Sequence, residues 1–224
     1  MNLRAKAWFS LAALAMVSGL LIFVLAGTIR YWEAWVYLAV FLGASFVITI
    51  DLMHRDPALL ERRMSGGPTA EKRPIQQIIM TVASAAFLAT MVVPALDRRF
   101  GWSHVPVVFV LLGDALVALG YYFVYLVSKE NTFMSATIEL AKDQRVISTG
   151  PYAIVRHPMY AGAMLYVLGT PLALGSYWGL LAVAVMLACI IWRLLDEERF
   201  LATSLAGYAE YQRKVQRRLV PFVW

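Results

Sequence analysis

A chain of 224 residues that is 61% hydrophobic and only 15% charged, with a formal net charge of +6, is too apolar for a soluble domain, where about half the residues are apolar and about a quarter charged. The composition excludes a water-soluble fold and indicates an integral membrane protein. The cationic excess requires no nucleic acid, and none is expected as a partner: basic residues beside membrane helices hold the headgroups of membrane lipids and set orientation.

Four apolar runs, 7–26, 32–50, 75–96 and 105–127, approach the roughly 20 residues that cross about 30 Å of hydrocarbon. The first follows Arg4 and Lys6 but exceeds the usual apolar core of a cleaved signal, about 7–15 residues, so it reads as a retained helix. Residues 158–192 are long enough for two more crossings, and Gly169-Thr170-Pro171 with Gly175-Ser176 supply the breakers of a tight turn. A helical hairpin is expected there, with one tilted helix plus a re-entrant half as the alternative. The expected fold is all-α, a polytopic membrane protein of five or six transmembrane helices.

On the six-crossing reading all but three of the 20 Lys and Arg residues lie at one end of the helices, the exceptions being Arg30, Arg98 and Arg99. The positive-inside rule makes the crowded end cytoplasmic and places both termini there. The chain divides into N-terminal membrane helices over 1–127, with a cytoplasmic loop at 51–74, and a region over 128–224 that holds most of the remaining polar residues and is expected to be the catalytic one. In the 51–74 loop, prolines and glycines flank a segment from Ala58 to Met64 with the length of one or two helical turns. It reads as an interfacial segment with its arginines on phosphate, or as a gate over a lipid substrate.

The stretch from Ser128 to His157 is longer than a simple turn requires, and loops beyond about 12–15 residues are usually functional or disordered. It ends in Gly150-Pro151-Tyr152 and Arg156-His157-Pro158-Met159-Tyr160. Proline suits the first position of a helix, so Arg156 and His157 stand just before a helix start, where free N–H groups and the dipole favour an anion. The last apolar run closes with Arg193, Asp196, Glu197 and Glu198, and Arg193 and Glu197 are one turn apart. Beyond it, Phe200, Leu201, Leu205, Tyr208, Tyr211 and Val215 recur at helical spacing, predicting an amphipathic helix along the cytoplasmic surface. The closing Leu219-Val220-Pro221-Phe222-Val223-Trp224 reads as an aromatic anchor, or as a flap that returns to the site.

Cys189 lies inside an apolar run and is expected to pack as a small hydrophobe. His54, His104 and His157 are far apart and have no Cys or His at ligand spacing, so no metal site is expected. Gly113, Gly120, Gly162 and Gly169 either leave room for a lipid tail or let helices pack closely.

Gly150-Pro151-Tyr152, Arg156-His157-Pro158-Met159-Tyr160-Ala161-Gly162, Glu197-Glu198, Gly207-Tyr208, Tyr211 and the closing Leu219-Val220-Pro221-Phe222 together resemble the isoprenylcysteine carboxyl methyltransferase family, in a prokaryotic-type form. That family is grouped with the phospholipid N-methyltransferases. The resemblance covers roughly residues 120–224. It implies S-adenosyl-L-methionine as methyl donor, an amphiphilic lipid or prenylated small molecule as acceptor, and a bacterial or archaeal inner membrane as the location. The sequence contains no Gly-x-Gly-x-x-Gly followed by alternating strands and helices, so a Rossmann-type cofactor site is not expected.

The donor presents an ammonium, a carboxylate, a ribose diol, an adenine and a sulfonium, and Tyr152, Arg156, His157, Tyr160, Glu197 and Glu198 supply groups that match. By analogy with the family, His157 and the backbone near Gly150 and Tyr152 contact the cofactor, Tyr160 lies beside it, and Glu197 or Glu198 holds its ammonium or ribose hydroxyls. A carboxylate acceptor, ionised near neutral pH, needs a cation to orient it rather than a base; Arg193 is the first candidate and Arg156 the second. An amine acceptor would need Glu197, Glu198 or His157 to take a proton. Two other classes stay open, an NADPH-dependent membrane reductase and a non-catalytic membrane scaffold.

Overall fold

The computed structural model describes residues 2–141, 143–221 and 223–224. Met1, Lys142 and Phe222, the last part of the closing motif read above, lie outside the described residues. The helices are α1 (Leu3–Ala26), α2 (Trp32–Arg55), α3 (Pro57–Met64), α4 (Pro74–Phe100), α5 (Val107–Glu130), α6 (Pro158–Ala173), α7 (Gly179–Ser204) and α8 (Tyr208–Lys214). Short 3-10 turns lie at Pro68–Ala70 and Gly150–Ala153, and no strand occurs among the described residues. Proline opens α3, α4 and α6, where its missing N–H loses no helical bond. Asp56 caps α3 by accepting from Leu59 N at 2.9 Å.

Five helices, α1, α2, α4, α5 and α7, are long and apolar enough to cross a membrane. α6 has 16 residues, about 24 Å of helix at 1.5 Å per residue, and is not among the five. It turns back through residues 174–178 to meet α7, so 158–192 forms the expected hairpin.

α5 and α6 form the tightest pair. A Cβ on Gly120 would stand 2.6 Å from Tyr166 N, and one on Gly162 would stand 2.9 Å from Val124 Cγ2. These glycines therefore serve close helix packing and leave no room there for a tail. At the end away from the basic residues, buried Asp97 accepts from Ser103 N and Oγ, both at 2.7 Å, and from Ser176 Oγ. Tyr31 Oη donates to Leu174 O at 2.5 Å, tying the hairpin turn to α2.

α7 runs past Trp192 without interruption to Ser204, and the amphipathic stretch expected as one helix is divided at Gly207. Gly207 has φ +82°, a left-handed conformation that glycine adopts without steric cost. The break lets α8 turn inward, burying Tyr208, Tyr211 and Val215 against Val146 and Leu201. The chain then returns: Arg156 N and His157 N donate to the carbonyls of Arg217 and Arg218, each at 2.9 Å. Leu219 packs with Tyr160, Ile190 and Leu194.

Candidate active site at the basic end of the bundle

Arg156 and His157 precede Pro158 and have non-helical backbone, so their N–H groups are free to take the returning tail as a partner. Docking of the tail fixes where their side chains point, and both are directed at Glu198. The Arg156 guanidinium donates from Nε to Glu198 Oε1 at 2.6 Å and from Nη1 to Val215 O at 2.8 Å. His157 Nε2 lies 3.2 Å from the same carboxylate oxygen, and Arg218 Nε donates to Oε2 at 2.9 Å. Arg156, His157 and Glu198 are all buried. Glu198 is thus the centre of a charge cluster that fastens the C-terminal segment to the start of α6.

Its neighbour does something different. Glu197 Oε2 accepts from Tyr160 Oη at 2.6 Å, and Glu197 lines a cavity at the basic end of the bundle. Tyr152, Arg156, His157 and Tyr160 share that wall, and the segments around Phe133 and Val146 cover it. Tyr152 Oη accepts from Asn131 Nδ2 at 2.8 Å, and its carbonyl accepts from Tyr211 Oη at 2.7 Å. Burial pushes the Tyr152 phenol above its ordinary range, and the Glu197 carboxylate adds to the rise. It is therefore a neutral hydroxyl at working pH.

The structure thus brings Tyr152, Arg156, His157, Tyr160 and Glu197 to one cavity and places Glu198 behind it. Gly150 shapes the turn that presents Tyr152: its φ is +55°, and a Cβ there would come within 3.0 Å of the Glu130 carboxylate. Arg193 reaches a second cavity, and its guanidinium is already engaged. It pairs with Glu71 at 2.7 Å and donates to Gln76 Oε1 at 2.9 Å and to Ala136 O at 2.8 Å. Beside it, Arg73 forks onto Asp196 at 2.6 and 3.0 Å, and Gln76 Nε2 donates to Asp196 Oδ2 at 2.5 Å. Glu71, Arg73, Gln76 and Asp196 join the α4 start to α7 and the covering loop. Sequence reasoning did not place them at the site; a buried glutamine at the first turn of an apolar helix is the one signal they leave.

The second cavity, about 240 Å³, lies within the bundle between α4, α5, α6 and α7. Its walls include Ile79, Ala83, Tyr121, Tyr166, Met186 and Cys189, and it shares Met159 and Tyr160 with the first cavity. A polar chamber at the helix ends therefore meets an apolar one inside the bundle at Met159 and Tyr160. Among the described residues, no group of three or more His, Cys, Asp or Glu side chains converges as a metal-binding set.

Residues 108–206 match the family described as phospholipid methyltransferase. Over that region, somewhat under half of its length, the chain is similar to this family. The match begins just inside α5 and ends after α7, so this family's region contains both cavity walls built from α5 to α7, while α3 and α4 lie outside it.

Individual relatives are similar at modest identity. The protein-S-isoprenylcysteine O-methyltransferase of Schizosaccharomyces pombe is 29% identical over 111 residues, 47% of this chain and 42% of that protein. The cobalt-zinc-cadmium resistance protein CzcN of Cupriavidus metallidurans is 28% identical over 163 residues, 70% of this chain and 68% of that protein. The protein-S-isoprenylcysteine O-methyltransferase B of Arabidopsis thaliana is 25% identical over 158 residues, 65% of this chain and 73% of that protein. The similarity thus spans less than half of the fission-yeast relative. The phospholipid methyltransferase family and two of these relatives are named for methyl transfer.

Proposed function

We propose that the protein transfers a methyl group from S-adenosylmethionine to a membrane-embedded amphiphile, by O-methylation of the carboxylate of an isoprenylcysteine-like acceptor. The observation that carries this reading is the junction of two unlike cavities at Met159 and Tyr160, one lined by charged and polar groups together with apolar ones, the other mainly by apolar and aromatic side chains with Arg63 and Arg193 among them. An amphiphile presents the same division, with its head at the helix ends and its tail among the helices.

The residues present fit the donor. Glu197 keeps Oε1 free of hydrogen bonds among the described residues while Tyr160 holds Oε2, so one oxygen is available to an ammonium or to ribose hydroxyls. Phe133, Val146, Ile147 and Leu201 offer apolar walls to a flat base, and Tyr152 and His157 offer polar contacts. S-adenosylmethionine supplies an electrophilic methyl on a sulfonium. The chain's own contribution is alignment and exclusion of water, which account for much of the acceleration of such a displacement. Tyr160 orients Glu197, the Arg156–Glu198–Arg218 cluster holds the C-terminal segment over the cavity, and the Arg193–Glu71 pair positions the loop at Ala136. A carboxylate acceptor is already ionised near neutral pH, so no general base is needed. The excess of Lys and Arg at this end supports a cytoplasmic position for the chamber.

A second reading, N-methylation of a phospholipid amine, is favoured by the family's description and would use Glu197 as proton acceptor. The two are separated by supplying methyl-labelled S-adenosylmethionine with a prenylated cysteine analogue, with phosphatidylethanolamine and with a native lipid extract. Label released by base as a volatile product marks an ester, and base-stable label marks an amine. Binding of NADPH in preference to S-adenosylmethionine would discard both in favour of a reductase, and binding of neither would leave a non-catalytic scaffold.

A further inference from the structure

The intramembrane cavity contains a cation that neither the family region nor the donor site accounts for. α3 buries Leu59 and Leu60, which leaves two arginines in its last turn facing different ways. Arg62 donates to Thr132 O at the surface. Arg63 instead runs into the bundle and lines the apolar cavity with Tyr121, Tyr166, Met159 and Tyr160.

The partner it finds there is a poor one. Arg63 Nη1 lies 3.3 Å from Sδ of Met159, and a thioether is a weak acceptor. Arg73, Arg156, Arg193 and Arg218 around the two cavities each have a carboxylate; among the described residues Arg63 has none. Burial pulls its guanidinium below the ordinary range, yet arginine keeps its proton in proteins. A charge held in an apolar chamber without a counter-ion is costly, and an arriving anion relieves that cost. The guanidinium reaches the cavity at Met159, which also lines the donor chamber.

We propose that Arg63 anchors the acceptor's oxyanion, taking the carboxylate of an amphiphile whose apolar tail fills the chamber walled by Ile79, Ala83, Met186 and Cys189. It is the orienting cation that sequence reasoning sought in Arg193, whose guanidinium is instead engaged by Glu71, Gln76 and Ala136. The assignment rests on the methyl-transfer reading for the fate of the anion: a carboxylate oxygen bonds to the methyl carbon and the carbon–sulfur bond breaks with its electron pair left on sulfur. The products are a neutral ester and a neutral thioether, so the acceptor loses its attraction for Arg63 on turnover. The same guanidinium would thereby favour substrate over product.

The test uses the full chain in lipid nanodiscs. Equilibrium binding of N-acetyl-S-farnesylcysteine, its methyl ester and farnesyl phosphate is measured for wild type, R63Q and R63K, together with binding and methyl transfer from labelled S-adenosylmethionine. Wild type should bind the acid about tenfold or more tighter than the ester, as a charge-assisted hydrogen bond in a dry site allows. R63Q should erase that preference while keeping ester and donor affinity, and R63K, which keeps the charge without the planar fork, should retain part of it.

Preference for the acid persisting in R63Q, no preference in wild type, or R63K behaving as R63Q does would overturn the assignment. Farnesyl phosphate binding tightly while the acid binds no better than the ester would overturn the choice of a carboxylate. An intact, Arg63-dependent preference with no methyl transfer in wild type would sink the methyltransferase reading and leave the anion site standing.

Discussion

Tyr160, in the first turn of α6, donates its phenol to Glu197 of α7 across a distance of 2.6 Å. The bond joins the two arms of the hairpin at the boundary between the polar and apolar chambers. It also fixes one oxygen of Glu197, a residue of the first cavity's wall, and leaves the other without a hydrogen bond among the described residues. Tyr160→Phe should keep the fold and loosen this orientation. Because the phenol acts on the donor only through Glu197, the expected loss is about 3–10-fold in S-adenosylmethionine affinity, the scale of an ordinary net hydrogen bond of about 0.5–1.5 kcal/mol. Equilibrium dialysis of the purified variant reads it directly, with thermal unfolding as the control for structure.

The adjacent glutamates should separate cleanly. Glu198→Ala leaves the buried Arg156 and the part-buried Arg218 without their carboxylate, and breaking such a pair costs about 3–5 kcal/mol. The expected result is a lowered unfolding temperature, with protease cleavage in the segment after α8 preceding cleavage elsewhere. Glu197→Gln should leave the unfolding temperature within the spread of the wild type and weaken donor binding instead. The opposite assignment of effects would mean that the two side chains have been given each other's work.

Arg193 and Glu71 should behave as one unit. Each single change, Arg193→Met or Glu71→Ala, removes one side of an ion pair whose acid is almost fully buried, for an expected loss of about 3 kcal/mol. The double variant should lose less than the sum, with a coupling between about 0.5 and 3 kcal/mol. A double-mutant cycle in denaturant-dependent unfolding within detergent measures it. Additive losses would show that the pair does not couple α7 to the segment before α4.

Gly120→Ala places a methyl group 2.6 Å from the backbone nitrogen of Tyr166, and neither helix axis can yield without moving the other. Overpacking of this kind costs about 1–3 kcal/mol. The α5–α6 pair carries residues of both cavities, so activity should fall with stability. Gly19, which has nothing near its missing Cβ, is the matched control and should tolerate alanine.

Much of this architecture is written in local features of the chain. Apolar length marked the crossings, Pro158 marked the start of α6, and the residues on either side of it proved to share one cavity wall. What stayed hidden depends on register and on distant partners. Successive residues of a helix point about 100° apart, so Glu197 and Glu198 had to face different ways, yet nothing local decides which meets the cavity. Gln76 and Arg193 are 117 positions apart, and no period in either segment announces that they meet. Arg63 sits in a segment that reads first as an interfacial loop with its arginines on phosphate. Only the packing of α3 against the bundle directs its side chain inward rather than to phosphate. The break at Gly207 was visible as a glycine but not as a turn, because the apolar spacing on either side continues through it.

The most direct measurement is transfer of a labelled methyl group from S-adenosylmethionine to N-acetyl-S-farnesylcysteine by the purified full chain in nanodiscs, comparing wild type with Glu197→Gln. The account predicts base-labile, volatile label on the farnesylcysteine with wild type, and a loss of about tenfold or more in kcat/KM for the variant at unchanged unfolding temperature, the scale of a lost charge-assisted contact. Wild-type protein that binds S-adenosylmethionine but leaves the farnesylcysteine unlabelled, or a Glu197→Gln variant with full activity, would contradict it.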